Sequence, residues 1–281
     1  MKQLCAWPIR KWIVFVISCA GLLVPATLYA QVRDVPRAGA TDAAFFTVVP
    51  DHVLDVVLGR ATDQGVTVTA LSRVDQSATL VWSDATGGRE ERISVQLSAG
   101  EPRAVELAGL APDREYRYGI RGAAGGLVEG RFHTQRGPGS AFSFTVTADS
   151  HLDAGTRTDV YERTLRNVVA AAPDLHFDLG DTFMTEKYAD FADAKAQYLA
   201  QRFWFGLLSA SSPLFLVLGN HDGEFGYSPR NGQQGMPAWA AANRTRYFPN
   251  PTPNAFYSGS NAKLPGGEFL QNYYAFTWGD A

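Results

Sequence analysis

Apolar and polar residues alternate along much of the region 43–135. In residues 66–71 and 93–97 every second side chain is apolar, which is the two-residue period of a β-strand with one buried face. Glycine-rich turns separate such runs at short intervals. The pattern predicts an all-β sandwich whose strands cover residues 53–58, 66–71, 78–82, 93–97, 103–107, 115–120 and 127–133.

The pattern changes after residues 135–140, with the sequence Q-R-G-P-G-S, which we interpret as a domain boundary. Beyond it, short apolar runs alternate with longer segments in which apolar residues recur at helical spacing. This β-α-β-α-β order predicts a parallel sheet with right-handed crossovers. The predicted strands are residues 142–148, 175–179 and 214–218, and the predicted helices are residues 158–172 and 188–208.

Local signals refine the ends of these elements. Thr158 or Asp159 is expected to cap the first helix, and Pro173 is expected to end it. Residues 223–268 are rich in Gly, Pro and Asn and are expected to form long loops. Residues 273–278 then predict one more strand.

Side chains able to bind metal follow each of the three strands predicted after the boundary. They are Asp149 and His151 after the first strand, Asp181 after the second, and Asn220, His221 and Asp222 after the third. Because ligands bind at the carboxyl ends of parallel strands, we expect these side chains to converge on one edge of the sheet. Their oxygen and nitrogen atoms suit Mn, Zn, Fe or similar ions. The sequence therefore predicts a site for two metal ions about 3.5–4 Å apart, which would clamp a phosphate ester and generate a hydroxide at neutral pH.

The motifs D-S-H, G-D and G-N-H-D, which contain these side chains, resemble in order and spacing those of the calcineurin-like metallophosphoesterase superfamily. The resemblance implies two divalent or trivalent metal ions as cofactors. Asp149 and His151 would bind the first ion, Asp181 would bridge both ions, and Asn220 would bind the second.

The resemblance also implies a mechanism. His221 would act as general acid toward the leaving oxygen or steady the developing charge, with Asp222 orienting its ring. The expected reaction is hydrolysis of a small-molecule phosphate mono- or diester by a metal-activated hydroxide, without a covalent intermediate on the protein.

Two departures from the family pattern change the expectation. The residue three positions after Asp181 is Met184, where the family has an aspartate, or a tyrosine in its purple acid phosphatase branch, so no tyrosinate–iron colour is expected. The family also supplies three histidines downstream, whereas none of the five histidines here follows His221. We therefore expect residues 141–281 to form only the N-terminal half of a layered α/β domain, in a fragment with weak metal binding and little turnover.

The all-β region carries a second resemblance. Residues 107–118, with the sequence LAGLAPDREYRY, resemble the fibronectin type III pattern, in which a leucine-rich turn precedes a tyrosine. Tyr116 would then form a tyrosine corner. The resemblance implies a multidomain protein with a fibronectin type III-like sandwich at residues 43–135 in front of the phosphoesterase region, similar to purple acid phosphatases.

The N-terminus resembles an export signal, because three basic residues precede an apolar core and the small residue Ala30. We predict a signal peptide at residues 1–30, a linker at residues 31–42, and a periplasmic or secreted protein. The alternatives are an uncleaved membrane anchor and a lipoprotein processing site at Cys19. Both cysteines lie within the leader, so the mature chain would have no disulfide.

Charge narrows the range of partners. Removing the leader with its three basic residues changes the formal net charge from −3 to −3 − 3 = −6, which argues against a nonspecific polyanion binder. We expect no specific nucleic-acid binding, and membrane contact only through an uncleaved leader. The competing hypothesis is a non-catalytic surface adhesion or scaffold protein whose α/β domain is inactive.

Overall fold

The structure, a computed structural model, describes residues 45–224 and 235–281. The predicted leader (residues 1–30) and linker (residues 31–42) lie outside the described residues. Within the described part of the chain, no helix is both long and apolar enough to span a membrane.

Two antiparallel sheets form the front module, in the strand orders β1-β2-β5 and β4-β3-β6-β7. Val68, Leu80 and Ile120 are almost fully buried between the sheets. The strands are β1 Leu54–Gly59, β2 Gly65–Ser72, β3 Gln76–Asp84, β4 Glu91–Leu97, β5 Pro102–Ala108, β6 Glu115–Gly122 and β7 Leu127–His133. Every strand predicted for this region is therefore confirmed.

Tyr116 closes the turn before β6. Its hydroxyl oxygen accepts a hydrogen bond of 2.8 Å from the backbone N–H of Ala111. Its ring stacks on Phe132, with the ring centroids 5.6 Å apart. A tyrosine hydroxyl bonded to the backbone just upstream is the geometry of a tyrosine corner.

A three-stranded parallel sheet with the order β10-β9-β8 forms the centre of the second module. Its elements are β8 Phe144–Thr147, α1 Thr158–Ala171, β9 Leu175–Asp178, α2 Lys195–Ser209 and β10 Leu214–Leu216. The predicted parallel sheet and the order of its elements are confirmed. The helices pack on one face of the sheet, where Leu165 of α1 and Phe205 of α2 meet Leu214 of β10 in one buried cluster.

Several predicted element ends were wrong. The N-cap of α1 is Arg157, and no side chain makes a capping hydrogen bond there. Asp159 lies in the first turn of the helix rather than at its cap, and its carboxylate accepts two hydrogen bonds from Arg157, at 2.9 and 2.7 Å. The second helix begins at Lys195 rather than Tyr188, because the preceding residues form separate 3-10 turns, one of which Asp190 caps by accepting the N–H of Ala192.

The segment predicted as long loops contains a helix, α3 Met236–Tyr247. It begins with a proline in its first turn and buries Ala240, Ala241 and Tyr247. Composition concealed it because glycine, proline and asparagine are frequent on both sides of it. The last predicted strand is reduced to β12 Tyr274–Ala275, which pairs with β11 Ser258–Gly259.

Helix α2 joins the sandwich to the parallel sheet through Arg202, whose side chain is fully buried. Its Nε donates to Oδ1 of Asp55 in β1 at 2.8 Å, and its other nitrogens donate to the carbonyls of Thr69 in β2 (2.7 Å) and Tyr247 in α3 (3.0 Å). A second link is the Tyr118 hydroxyl, which donates to the carbonyl of Ala210 at 2.7 Å. Strands β1 and β2 are accordingly buried along their whole length.

The other face of the parallel sheet is only partly covered. Phe276 stacks on Phe215 there, with the ring centroids 4.9 Å apart. Around it Phe144, Val146 and Tyr273 are 55%, 49% and 63% exposed, and they line an apolar cavity of about 570 Å³. We call this surface the open sheet face.

Candidate metal centre

The loops after β8 and β9 are joined by backbone hydrogen bonds. The N–H of Asp149 donates to the carbonyl of Gly180 at 3.0 Å, and the N–H of His151 donates to the carbonyl of Asp181 at 3.2 Å. The predicted ligands after these two strands therefore lie side by side at one edge of the sheet.

Three predicted ligands form a compact cluster. Ligand atoms of Asp149, His151 and Asp181 all lie within 4.8 Å of one another. Nε2 of His151 is 3.6 Å from Oδ1 of Asp149 and 3.9 Å from Oδ2 of Asp181. That nitrogen is buried and makes no hydrogen bond. A buried polar atom is normally satisfied, so an imidazole nitrogen held between two carboxylates without a hydrogen bond fits a metal ligand.

Asp153 supports His151 from the other side of the ring. Its Oδ2 lies 3.3 Å from Nδ1 of His151, and Lys187 places its ammonium 3.9 Å from the same oxygen. A carboxylate at Nδ1 favours the tautomer in which Nε2 keeps its lone pair for a metal. The sequence analysis missed Asp153, although its position two residues after His151 was a local signal.

Strained backbone accompanies the ligands. Asp149, His151 and Asp181 have φ values of 57°, 52° and 54°, a left-handed region that costs energy for residues with a side chain. Two buried glutamines on α2 support these loops: Gln197 donates to the carbonyl of His151, and Gln201 donates to Oγ of Ser150 at 2.8 Å and to the carbonyl of Thr182 at 3.1 Å. Such support can maintain strain that would otherwise relax.

The glycines of the motifs permit a close backbone approach. A β-carbon on Gly180, which has φ of 93°, would lie 2.0 Å from the backbone nitrogen of Gly219. A β-carbon on Gly219 would lie 2.1 Å from the backbone nitrogen of Asp181. The loops after β9 and β10 can touch only because both positions are glycine.

Asp222 has a different role from the predicted one. Its Oδ1 accepts the N–H groups of Thr182 (2.8 Å) and Phe183 (2.9 Å), and its Oδ2 accepts those of Asp181 (3.1 Å) and Gly219 (2.7 Å). Burial raises the pKa of Asp222 to about 6, while the N–H groups of Phe183, Gly219 and Thr182 act in the opposite direction. The carboxylate thus holds the two loops together, and the prediction that it orients the ring of His221 was wrong.

His221 lies beside the cluster. Its backbone N–H donates to Oδ1 of Asp181 at 2.8 Å. Its ring stands nearly perpendicular to that of His151, with the centroids 6.0 Å apart, and its Nδ1 contacts the carboxylate of Glu186. Asn220 is exposed at the same rim, and its role as a ligand of a second ion stays a prediction. Sequence reasoning did not single out Glu186.

These observations can be compared with known proteins. The family model for calcineurin-like phosphoesterases matches residues 142–280. Residues 142–280 form a calcineurin-like phosphoesterase domain. No curated protein matches the sequence significantly.

Two solved structures are similar to this chain. A structure of PhoD superposes with a TM-score of 0.52 at 15% identity, covering 80% of this chain and 49% of that one. The purple acid phosphatase PPD1 from yellow lupin (Lupinus luteus) gives a TM-score of 0.49 at 17% identity, covering 71% of this chain and 41% of that one. At these identities the likeness to PhoD concerns the fold alone. The chain spans about half the length of these proteins or less.

The phosphoesterase domain also buries His176 and Asp178 beneath the site. The hydroxyl of Thr147 donates to Oδ2 of Asp178 at 2.8 Å and lies 3.0 Å from Nε2 of His176. Burial lowers the pKa of His176 to about 4 and raises that of Asp178 to about 7, the latter against donors that include Thr182. These residues support the strand end from below and do not belong to the ligand cluster.

Proposed function

We propose that this protein is an exported, metal-dependent phosphoesterase that hydrolyses phosphate mono- or diesters. The observation that carries the proposal is Nε2 of His151, buried without a hydrogen bond between the carboxylates of Asp149 and Asp181. This arrangement stands at the carboxyl end of a parallel sheet within a phosphoesterase domain.

The residues present would supply more ligands to one metal ion than to the other. Asp149, His151 and Asp181 would bind one ion, and Asp181 together with Asn220 would contribute to a second. Bound ions of this kind neutralise phosphate oxygens and lower the pKa of water. Asp181 also accepts the N–H of His221, so a carboxylate that bridges the ions would fix the general acid relative to them.

His221 is the residue proposed to deliver a proton to the leaving oxygen. Its ring borders the cluster of Asp149, His151 and Asp181 and lies outside it, which suits a group that contacts the substrate rather than the metal. The substrate is a small phosphate ester, and neither nucleic-acid binding nor membrane binding by the folded modules forms part of the proposal.

Two finer features belong to the same proposal. The front module would be a fibronectin type III-like domain, which is supported by its two-sheet strand order and by the Tyr116 corner. Export to the periplasm or the medium is supported by the basic and apolar pattern of the leader.

The experiment uses the full-length protein, freed of metal with a chelator and titrated with Mn²⁺, Zn²⁺ or Fe²⁺ in a calorimeter. Hydrolysis of p-nitrophenyl phosphate and bis-p-nitrophenyl phosphate is measured in parallel. Asp181→Asn should lose metal affinity and activity together, whereas Asp159→Asn, which alters an exposed carboxylate on α1, should lose neither. Absence of chelator-sensitive hydrolysis of these and a panel of natural phosphate esters, or full activity of Asp181→Asn, would refute the function and favour a non-catalytic scaffold.

A further inference from the structure

We propose that Glu186 is the positioning residue for the ring of His221, an inference that rests on the proposed phosphoesterase function. Glu186 lies in the short 3-10 turn Thr185–Lys187 that follows the loop carrying Asp181. Its carboxylate contacts Nδ1 of His221. Its backbone N–H also donates to the carbonyl of His221 at 3.3 Å. One residue therefore holds both the ring and the main chain of the histidine.

The neighbouring carboxylates have other partners. Asp222 uses both oxygens to accept four backbone N–H groups. Oδ1 of Asp181 accepts the backbone N–H of His221, and the contact is to the main chain of the histidine rather than to its ring. Among the described residues, the carboxylate found at Nδ1 is that of Glu186, which lies 35 positions before His221 in the sequence.

The contact between Glu186 and His221 is partly shielded from solvent. The side chains of His221 and Glu186 are only 25% and 20% exposed. Water therefore competes less for the ring nitrogen than it would at a fully exposed pair, whose net stabilisation is small. The chain around the contact is also fixed, because Thr185 is buried and its hydroxyl lies 3.1 Å from that of Tyr198 on α2.

The contact determines which atom of His221 faces a substrate. An acceptor at Nδ1 keeps that nitrogen protonated and directs Nε2 away from Glu186. The ring borders the ligand cluster at an interplanar angle of 86° to the ring of His151. When the ring is the imidazolium, which carries a proton on each nitrogen, Nε2 is then the atom available to give a proton to a leaving oxygen. Glu186 keeps the other proton at Nδ1 and acts through His221 without touching the substrate.

Two readouts test the inference. The first is the Nδ1–H resonance of His221 in metal-free protein with ¹⁵N-labelled histidine, assigned with His221→Gln. It should be visible in the wild type, lost to solvent exchange in Glu186→Ala and retained in Glu186→Gln, whose amide oxygen still accepts. This readout is independent of catalysis.

The second readout compares phenyl phosphate with 2,4-dinitrophenyl phosphate, whose leaving group needs no proton. Glu186→Ala should lower kcat for phenyl phosphate by about 10–100-fold and leave KM and the dinitrophenyl reaction nearly unchanged, as expected for loss of an orienting partner. Glu186→Gln should be intermediate. Glu162→Ala, which removes an exposed glutamate paired with Arg166 on α1, is the matched control and should match the wild type.

The outcomes separate the two proposals. A resonance that persists in Glu186→Ala, or equal losses on both esters, overturns the role of Glu186 while hydrolysis by the wild type stands. A full-length wild-type protein that hydrolyses neither ester after titration with metal overturns the phosphoesterase function, and the positioning role falls with it. Urea unfolding of each variant identifies a loss caused by misfolding, in which case Glu186→Gln provides the comparison.

Discussion

Replacing Arg202 with methionine should lower the free energy of unfolding, because it removes the contacts of this side chain between the sandwich and the parallel-sheet module. Methionine preserves much of the length and apolar packing of the side chain but removes every donor. Asp55, which is 5% exposed, would lose the guanidinium that contacts Oδ1 through two nitrogens, at 2.8 and 2.7 Å. The carbonyls of Thr69 and Tyr247 would lose their donors from the same side chain.

The size of the effect follows from what is left behind. Removing one partner of a buried ion pair costs about 3–5 kcal/mol, because the remaining charge is buried without compensation. His52 can compensate only partly, since its Nε2 lies 3.5 Å from Oδ2 of Asp55. Replacing both charges with apolar groups is often nearly neutral. Arg202→Met combined with Asp55→Val should therefore recover about 2–4 kcal/mol relative to Arg202→Met alone.

Urea unfolding followed by circular dichroism and tryptophan fluorescence measures both quantities, because Trp204 on α2 is buried beside the junction. Arg166→Met, on the exposed face of α1, is the control and should change stability by less than about 0.5 kcal/mol. The reasoning is refuted if Arg202→Met costs less than about 1 kcal/mol, or if the double variant is no more stable than the single one.

Three further predictions concern the site. Burial raises the pKa of Asp178 from its ordinary 3.8 to about 7, so its contribution to folding stability is full below pH 3.8 and is lost as the pH rises to 7. In urea unfolding, the stability of Asp178→Asn relative to wild type should therefore rise by up to about 4 kcal/mol between pH 4 and 8. A difference that does not change with pH would contradict this. Gln201→Leu removes the donor to Ser150 and should weaken Mn²⁺ binding about 10–100-fold by calorimetry, unless the loop is held without it. Gly180→Ala should destabilise the fold by about 3 kcal/mol or more, because its β-carbon would clash with the backbone of Gly219. Gly139→Ala, with φ of 80° and open space around it, should cost only about 1–2 kcal/mol. Equal shifts in melting temperature for the two variants would exclude the clash.

The sequence identifies features that depend on local pattern. Alternation located the strands of the sandwich, and apolar runs ending in Asp149, Asp181 and Asn220 located the edge of the sheet where the ligands lie. Elements governed by long-range contacts were harder. Helix α3 gains stability by burying Ala240 and Tyr247, although its surroundings have the composition of a loop.

The contacts within the site also depend on long-range packing rather than on local pattern. The resemblance to calcineurin-like phosphoesterases implied that Asp222, which follows His221 directly, orients its ring. The fold instead turns Asp222 toward four N–H groups from two loops and brings Glu186 to the ring from a separate turn. No spacing rule contains that information, because it arises from how α2 and the loops pack.

The open sheet face has a practical consequence for handling this chain. Phe144, Val146 and Tyr273 present an adjoining apolar surface to water. Surfaces of this kind promote association between molecules. Kosmotropic salts such as sulfate strengthen that association. Purification of the 281-residue chain should therefore avoid salting-out steps. Activity assays should be run at several protein concentrations, so that aggregation is not mistaken for an inactive site.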